Sequence, residues 1–200
     1  MIASLTKMEE EVLTGLRQPL KQISSKYFYD AEGDKLFQRI MQLDEYYLPE
    51  CEKEILENHS VAIAQQIPHQ AFSVIELGAG DGSKTKRMLE LFLSTGKTIT
   101  YRPLDISADV LQQNQAIMKE HIPQLNVIPK VGDYMQSLPT INTQFDAKLV
   151  CFMGSNLGNY KQEKAHDFLC WITDNLSTKD YFLLAQDLKK HPKKILAAYN

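Results

Sequence analysis

The stretch Val74-Ile75-Glu76-Leu77-Gly78-Ala79-Gly80-Asp81-Gly82 decides the fold. Its first residues form a short apolar run of strand character, which passes without a linker into a loop dominated by glycine. Glycine lets a backbone turn sharply and approach a ligand that a side chain would keep away. Behind the loop, residues 84–94 carry helical spacing, so the segment reads as strand, loop, helix. The same alternation continues downstream. Strands are expected at 72–77, 98–104, 125–131, 147–153 and 181–186, with helices at 84–94, 108–120 and 162–175 between them. Alternation of this kind specifies an α/β fold, a parallel sheet with helices on both faces. Residues 192–200 read as the opening of another helix.

Upstream the period changes. Leu5, Met8, Val12 and Leu16 fall on one helical face, and Leu36, Phe37, Ile40 and Leu43 form a second stripe. A third runs through Ile55, Leu56, Ala62 and Ile63, after Pro49, a residue suited to the first turn of a helix. Thr6 and Glu9 have the spacing of a capping box. The connections Lys26-Tyr27-Phe28-Tyr29-Asp30 and Glu45-Tyr46-Tyr47-Leu48 are rich in aromatics. The expected organisation is an N-terminal helical region, residues 1–67, followed by an α/β domain, residues 68–200.

Composition narrows the function classes. Of 200 residues, 44% are hydrophobic and 24% charged, as in an ordinary globular chain. A formal charge of −3 gives no electrostatic case for nucleic acid or an anionic membrane as partner. No apolar run approaches the roughly 18–20 residues needed to cross a bilayer. The first ten residues turn acidic where a signal peptide is apolar. The three cysteines, Cys51, Cys151 and Cys170, are odd in number and scattered, which reads as free thiols in a reducing compartment. The expected location is the cytoplasm, and no metal site is expected.

Ligands of open α/β sheets sit beyond the carboxyl ends of the strands, near the switch in strand order. The glycine loop lies at such a position, although a Gly-x-Gly alone serves equally well as a structural turn. The dinucleotide fingerprint has a third glycine three positions after the second, and here that position is Ser83. This weakens a nicotinamide reading without excluding it. The second strand ends in Asp105, whose carboxylate is suited to both hydroxyls of a ribose; the competing reading is a helix cap, for which Ser107 is already in place. After the third strand, Asp133 is suited to an adenine amine and Tyr134 to covering the base, while the same Gly132-Asp133-Tyr134 is also a simple turn. The fourth strand runs into Gly154-Ser155-Asn156-Leu157-Gly158-Asn159, read either as a built ligand loop or as a turn with Asn159 capping the next helix.

Taken in order, these segments resemble the histidine-specific methyltransferase family. The resemblance is carried by Glu76-Leu77-Gly78-Ala79-Gly80 with Lys84-Thr85, by Leu104-Asp105-Ile106-Ser107 and by Gly132-Asp133-Tyr134. Phe152-Met153-Gly154-Ser155-Asn156-Leu157-Gly158-Asn159, Gln186-Asp187-Leu188, Tyr27-Phe28-Tyr29-Asp30 and Glu45-Tyr46-Tyr47 extend it. The 154–159 phrase is the most specific of them, and the resemblance spans roughly Ser25 to Asn200. It implies a Rossmann-like class I methyltransferase sheet with an N-terminal helical extension that contributes to the substrate pocket. It also implies S-adenosyl-L-methionine as cofactor, contacted by Gly78, Lys84, Asp105, Asp133 and Tyr134. The amino-acid substrate would be held by Asn159, Tyr46 and Tyr199, with Tyr29 and Tyr47 as neighbours that serve equally well in packing. The implied reaction is methylation of the α-amino group of L-histidine, as in ergothioneine biosynthesis.

Members of that family continue beyond the point where this sequence stops, with the last strands of the sheet and the residues that read the imidazole. The chain is therefore expected to be a shortened form. Residues 181–186 would then be an apolar edge strand able to pair with a second copy in a homodimer. Two alternatives stay open at this level, a related enzyme with a different small amine acceptor and a catalytically silent cofactor-binding fragment. No general base is assigned, since an α-amino group with a pKa near 8 is partly neutral at pH 7 and needs orientation more than deprotonation.

Overall fold

The computed structural model describes residues 6–28 and 31–199, with the side chains at 25, 26, 31 and 199 outside the description. The N-terminal region holds α1 (Lys7–Arg17), α2 (Ala31–Ile40) and α3 (Leu48–Gln66). Helix α1 starts on the expected capping box: the Thr6 hydroxyl accepts from the Glu9 N–H, and the Glu9 carboxylate accepts from the Thr6 N–H at 2.7 Å. It buries none of its residues, and Met8 of the expected stripe is 53% exposed. Leu5 lies outside the described residues. Helix α3 begins with Pro49 in its first turn as expected, but its buried row is Leu56, Ser60 and Ala64. Ile55 faces solvent at 56% exposure, a correction to the stripe read from the sequence. The row was masked because one of its members is polar. Ser60 is buried with its hydroxyl donated to the Leu56 carbonyl one turn back, which removes the cost of its burial.

From residue 71 the chain alternates β1 (Ala71–Leu77), α4 (Ser83–Ser94), β2 (Thr98–Asp105) and α5 (Ala108–His121). After these come β3 (Asn126–Val127), β4 (Lys130–Val131), α6 (Tyr134–Ser137), β5 (Lys148–Phe152), α7 (Gln162–Asp174), β6 (Tyr181–Leu184) and α8 (Pro192–Tyr199). Every strand pair is parallel, in the order β3-β2-β1-β5-β6, with β4 also on β2. The strand expected at 125–131 is two short pieces. Their register on β2 is unbroken, with Thr100 opposite Asn126 and Leu104 opposite Lys130. That places Pro103 opposite Pro129, and neither has an N–H to contribute to the ladder.

The sheet is apolar on both faces, which explains the near-continuous apolar runs of its strands. Phe72 and Val74 of β1, with Leu149 and Cys151 of β5, pack under α3, α4 and α5 against Leu56, Met88, Leu89, Phe92 and Met118. Ile75 and Leu77, with Val150 and Phe152, face the other way onto Leu138, Phe168 and Ile172. Full burial of each such side chain contributes roughly 1.5–3 kcal/mol. Strand β6 lies at the rim of the sheet, and all four of its residues are half-buried. Among the described residues, no helix is long and apolar enough to cross a membrane.

Strand order places the site. From β1 the chain moves outward to β2, β3 and β4, then crosses back to β5 on the other side of β1. The switch opens a crevice beyond the carboxyl ends of β1 and β5, where the two loops diverge.

Candidate functional site

A cavity of about 320 Å³ occupies that crevice. Its floor is the loop after β1, where Gly78 and Gly80 have φ of +69° and +57°. A side chain at either position would be strained by the backbone, and the space into which it would point is open, so both glycines present bare backbone to a ligand. Lys84, Asp105, Asp133, Tyr134 and Asn159 line the same cavity, together with Gly154 and Asn156. Six of the residues singled out from the sequence, Gly78 included, are thus brought to one place.

The loop is braced from behind. Glu76 is 4% exposed, and its carboxylate accepts from the Thr85 hydroxyl of α4 at 2.7 Å and from the Tyr101 hydroxyl of β2. Asn114 of α5 donates to the Tyr101 hydroxyl at 3.3 Å and to the Gly80 carbonyl at 3.1 Å. Burial raises the Glu76 carboxyl to a pKa of about 7, against the lowering effect of its two hydroxyl donors. Glu76 therefore shapes the loop from a buried position that also borders the cavity.

Asp105 faces the cavity from the tip of β2. It accepts from the Gly80 N–H and the Ser107 N–H, both at 3.0 Å, and burial holds its carboxyl above the ordinary range. Each oxygen keeps a further lone pair for a ligand hydroxyl. The helix cap of α5 is Ser107, whose hydroxyl accepts from the Val110 N–H, so Asp105 is not spent on capping. Asp133 does cap a helix, the short α6, through the Met135 N–H at 2.8 Å, while also lining the cavity. The Tyr134 ring is held edge-on by Phe152 and Phe168, with centroids 5.8 and 6.1 Å away. Its hydroxyl is bonded to that of Tyr160, which also lines the cavity, and burial raises its pKa.

Beyond β5 the backbone turns through Gly154 and Ser155, the latter at φ +58°. The Ser155 hydroxyl accepts from the Gln186 side chain and from the Asp187 N–H, both at 3.0 Å, which ties this loop to the segment after β6. Asn159 closes a short 3-10 turn, Asn156–Asn159, and the N-cap of α7 is Lys161. The helix-cap reading of Asn159 is thereby removed.

The next wall residues have no role in the site that is legible in the sequence, although Phe37 belongs to the expected second stripe. Asp34, Phe37 and Gln38 of α2, with Met41 just beyond its end, line the cavity, and the Ser107 hydroxyl donates to Asp34 at 2.7 Å. Tyr46 is half-buried in the turn ahead of α3 and does not line the cavity. Tyr47 has a structural partner: its hydroxyl donates to Asp187 at 2.6 Å, and the Lys190 ammonium stands 4.2 Å from its ring centroid. Tyr29 and the Tyr199 side chain lie outside the described residues.

The family model for histidine-specific, S-adenosylmethionine-dependent methyltransferases matches residues 8–200. The chain belongs to this family. Among its relatives, the histidine N-alpha-methyltransferase of Mycolicibacterium smegmatis is 31% identical over 193 residues, covering 96% of this chain and 59% of that protein. The ergothioneine biosynthesis protein 1 of Neurospora crassa is 33% identical over 185 residues, covering 90% of this chain and 21% of its own length. This chain thus spans well under two thirds of each. The fold is shared with a putative S-adenosylmethionine-dependent methyltransferase from Methanococcus maripaludis (TM-score 0.54, 15% identity, 88% of this chain and 72% of that one).

The cavity suits the family's cofactor. Its size is at the low end of small-molecule sites. The two open glycines admit a ligand against the backbone, and acids stand at two successive strand tips beside an aromatic ring.

Proposed function

We propose that this chain is an S-adenosylmethionine-dependent N-methyltransferase acting on the α-amino group of L-histidine. The observation that carries the reading is that one crevice at the strand-order switch unites Gly78, Lys84, Asp105, Asp133 and Tyr134 with Asn159. The names of the mycobacterial and fungal relatives supply the acceptor and the link to ergothioneine biosynthesis.

S-adenosylmethionine, when bound, supplies an electrophilic methyl on a sulfonium. The protein's share is alignment and exclusion of water. In this reading Asp105 accepts from the ribose hydroxyls, Asp133 from the adenine amine, and the clamped Tyr134 ring covers the base. Gly78 and Gly80 let the backbone meet the ligand, and Lys84 donates to its carboxylate end. Asn159 accepts from the acceptor amine or donates to its carboxylate without adding a charge. Tyr46, which stands outside the cavity wall, and Tyr199 belong to the same proposal as contacts to the amino acid through the family resemblance alone. The helical region 1–67 contributes Ser24, the α2 residues and Met41 to the wall, and the domain 68–200 the remainder. The proton released from the amine goes to water, and no side chain is assigned as general base.

The test has two stages. Calorimetric titration with S-adenosylmethionine and with NAD reads the cofactor. Mass spectrometry after incubation with a panel of the twenty amino acids then reads the acceptor. Methylated histidine alone supports the proposal. Methylation of another amine replaces histidine as substrate, and tight binding without product marks a silent cofactor-binding fragment.

Two further elements belong to this proposal. A cytoplasmic setting is supported by the free thiols of Cys51, Cys151 and Cys170. Self-association through the β6 rim is supported by the half-exposed Tyr181, Phe182, Leu183 and Leu184. A monodisperse monomer in light scattering would remove the latter.

A further inference from the structure

Glu52 belongs to no motif in the sequence and does not line the cavity. It lies in the first turns of α3, and its side chain is only 11% exposed. Its carboxylate holds two cavity walls at once. Oε1 accepts from the Gly154 N–H at 2.6 Å, and Oε2 takes the Lys84 ammonium in an ion pair. These partners are far apart in the chain, since Lys84 opens α4 while Gly154 begins the turn that leads to Asn159.

A carboxylate so nearly buried is costly unless its oxygens are satisfied, and here each oxygen has its own charged or backbone donor. The ammonium has three N–H donors, of which Glu52 fixes one and thereby restricts the directions of the others. The Gly154 N–H has no ladder partner in β6 and is anchored instead to α3. The approach is close, because a Cβ on Gly154 would stand 3.8 Å from Lys84 Nζ. One side chain therefore sets the distance between the lysine and the 154–159 loop.

We propose that Glu52 is a positioning residue that locks the cofactor subsite to the acceptor subsite. The inference rests on the reading of Lys84 and Asn159 as ligand contacts. Through Lys84 it orients the donors that meet the cofactor's carboxylate, and through Gly154 it fixes the turn that presents Asn159.

The test combines Glu52→Gln, Glu52→Ala, Lys84→Met and the Glu52→Gln/Lys84→Met double variant, each in the full chain. The readouts are calorimetric titration with S-adenosylmethionine and hydrogen exchange at the Gly154 amide. Glutamine keeps an acceptor for Gly154 but loses the charge that holds Lys84, whereas alanine loses both. We expect Glu52→Gln and Lys84→Met each to weaken binding about tenfold, the loss typical of one charge-assisted contact. The double variant should be no weaker than Lys84→Met, because the two residues act through each other. Glu52→Ala should also speed Gly154 exchange about tenfold or more, with Glu52→Gln close to the parent. Should alanine prevent folding, the affinity cycle with glutamine decides. Affinity within about twofold of the parent in Glu52→Gln, additive losses in the cycle, or unchanged Gly154 exchange in Glu52→Ala each overturn the proposal. If the parent itself does not bind S-adenosylmethionine, the functional reading fails, and the Gly154 exchange comparison still decides whether Glu52 holds the loop.

Discussion

Gly82→Ala tests how tightly the glycine loop is fitted to the helices beneath it. Gly82 sits at the N-cap of α4 with φ +74°, and a Cβ there would come within 2.6 Å of Asn114 Nδ2 and 2.7 Å of Met118 Cε. Left-handed backbone costs an alanine about 1–2 kcal/mol. Displacing Asn114 also breaks its bonds to the Gly80 carbonyl and the Tyr101 hydroxyl, at about 1 kcal/mol each. The unfolded chain returns about 0.4–1 kcal/mol, because alanine has less freedom to lose. The net expectation is a loss of about 3 kcal/mol. Gly96→Ala is the control, since Gly96 has φ +83° but nothing within 4 Å of its Cβ position. It should lose about 1 kcal/mol, from backbone strain alone. Urea unfolding followed through Trp171, the single tryptophan, packed 5.8 Å from Phe168, reads both. The two midpoints should be separated by about 1 M. Equal losses in the two variants would show that contact with Asn114 and Met118 is not what requires glycine at position 82.

Three other substitutions probe the site. Glu76→Gln should abolish a pH dependence. With its folded pKa near 7 against an ordinary 4.5, Glu76 keeps its proton in the native state where the unfolded chain has lost it, so parent stability falls as pH rises between these values and levels off above. Relative to the variant, the parent should lose about 3 kcal/mol between pH 4.5 and 8, and a pH-independent difference in urea midpoints would refute a protonated Glu76. Asp105→Ala should weaken S-adenosylmethionine binding about tenfold or more and lower the melting temperature, because the Gly80 and Ser107 N–H groups lose their acceptor; unchanged calorimetric affinity would remove Asp105 from the ribose role. Asn159→Ala should leave cofactor affinity and melting temperature near the parent values while reducing amino-acid binding, since Asn159 caps no helix. Loss of folding in this variant would count against the ligand-holding role.

The sequence disclosed those parts of the molecule whose partners are close in the chain or whose position follows from topology. The β1 strand, its glycine loop and α4 are contiguous, and the tips of β2 and β5 fall beside that loop in any right-handed parallel winding. Asp105, Asp133 and Asn159 could therefore be located without coordinates. The break between β3 and β4 depended on two prolines meeting across strands, which requires the register. The buried row of α3 was concealed because Ser60 takes a core position through a bond to its own helix. Asp34 and Glu52 were invisible for another reason. Each is an ordinary acid on a helix whose partner lies 73, 32 or 102 residues away, and no spacing rule connects them. Tyr47 illustrates the converse, an aromatic inside a family motif whose observed contacts are to Asp187 and Lys190.

The chain of bonds from Glu76 through Tyr101 and Asn114 to the Gly80 carbonyl closes on Asp105, which receives the Gly80 N–H. Both backbone polar groups of Gly80, its N–H and its carbonyl, are thus committed to partners within the protein. A segment of small residues would ordinarily have to surrender its backbone entropy on binding. Here part of that entropy is spent during folding, so under the proposed function a nucleoside ligand would meet a loop already held in place, and the cost of ordering it on binding would be lower. A loop held in this way would favour ligands whose outline follows it over those that require the Gly80 bonds to break.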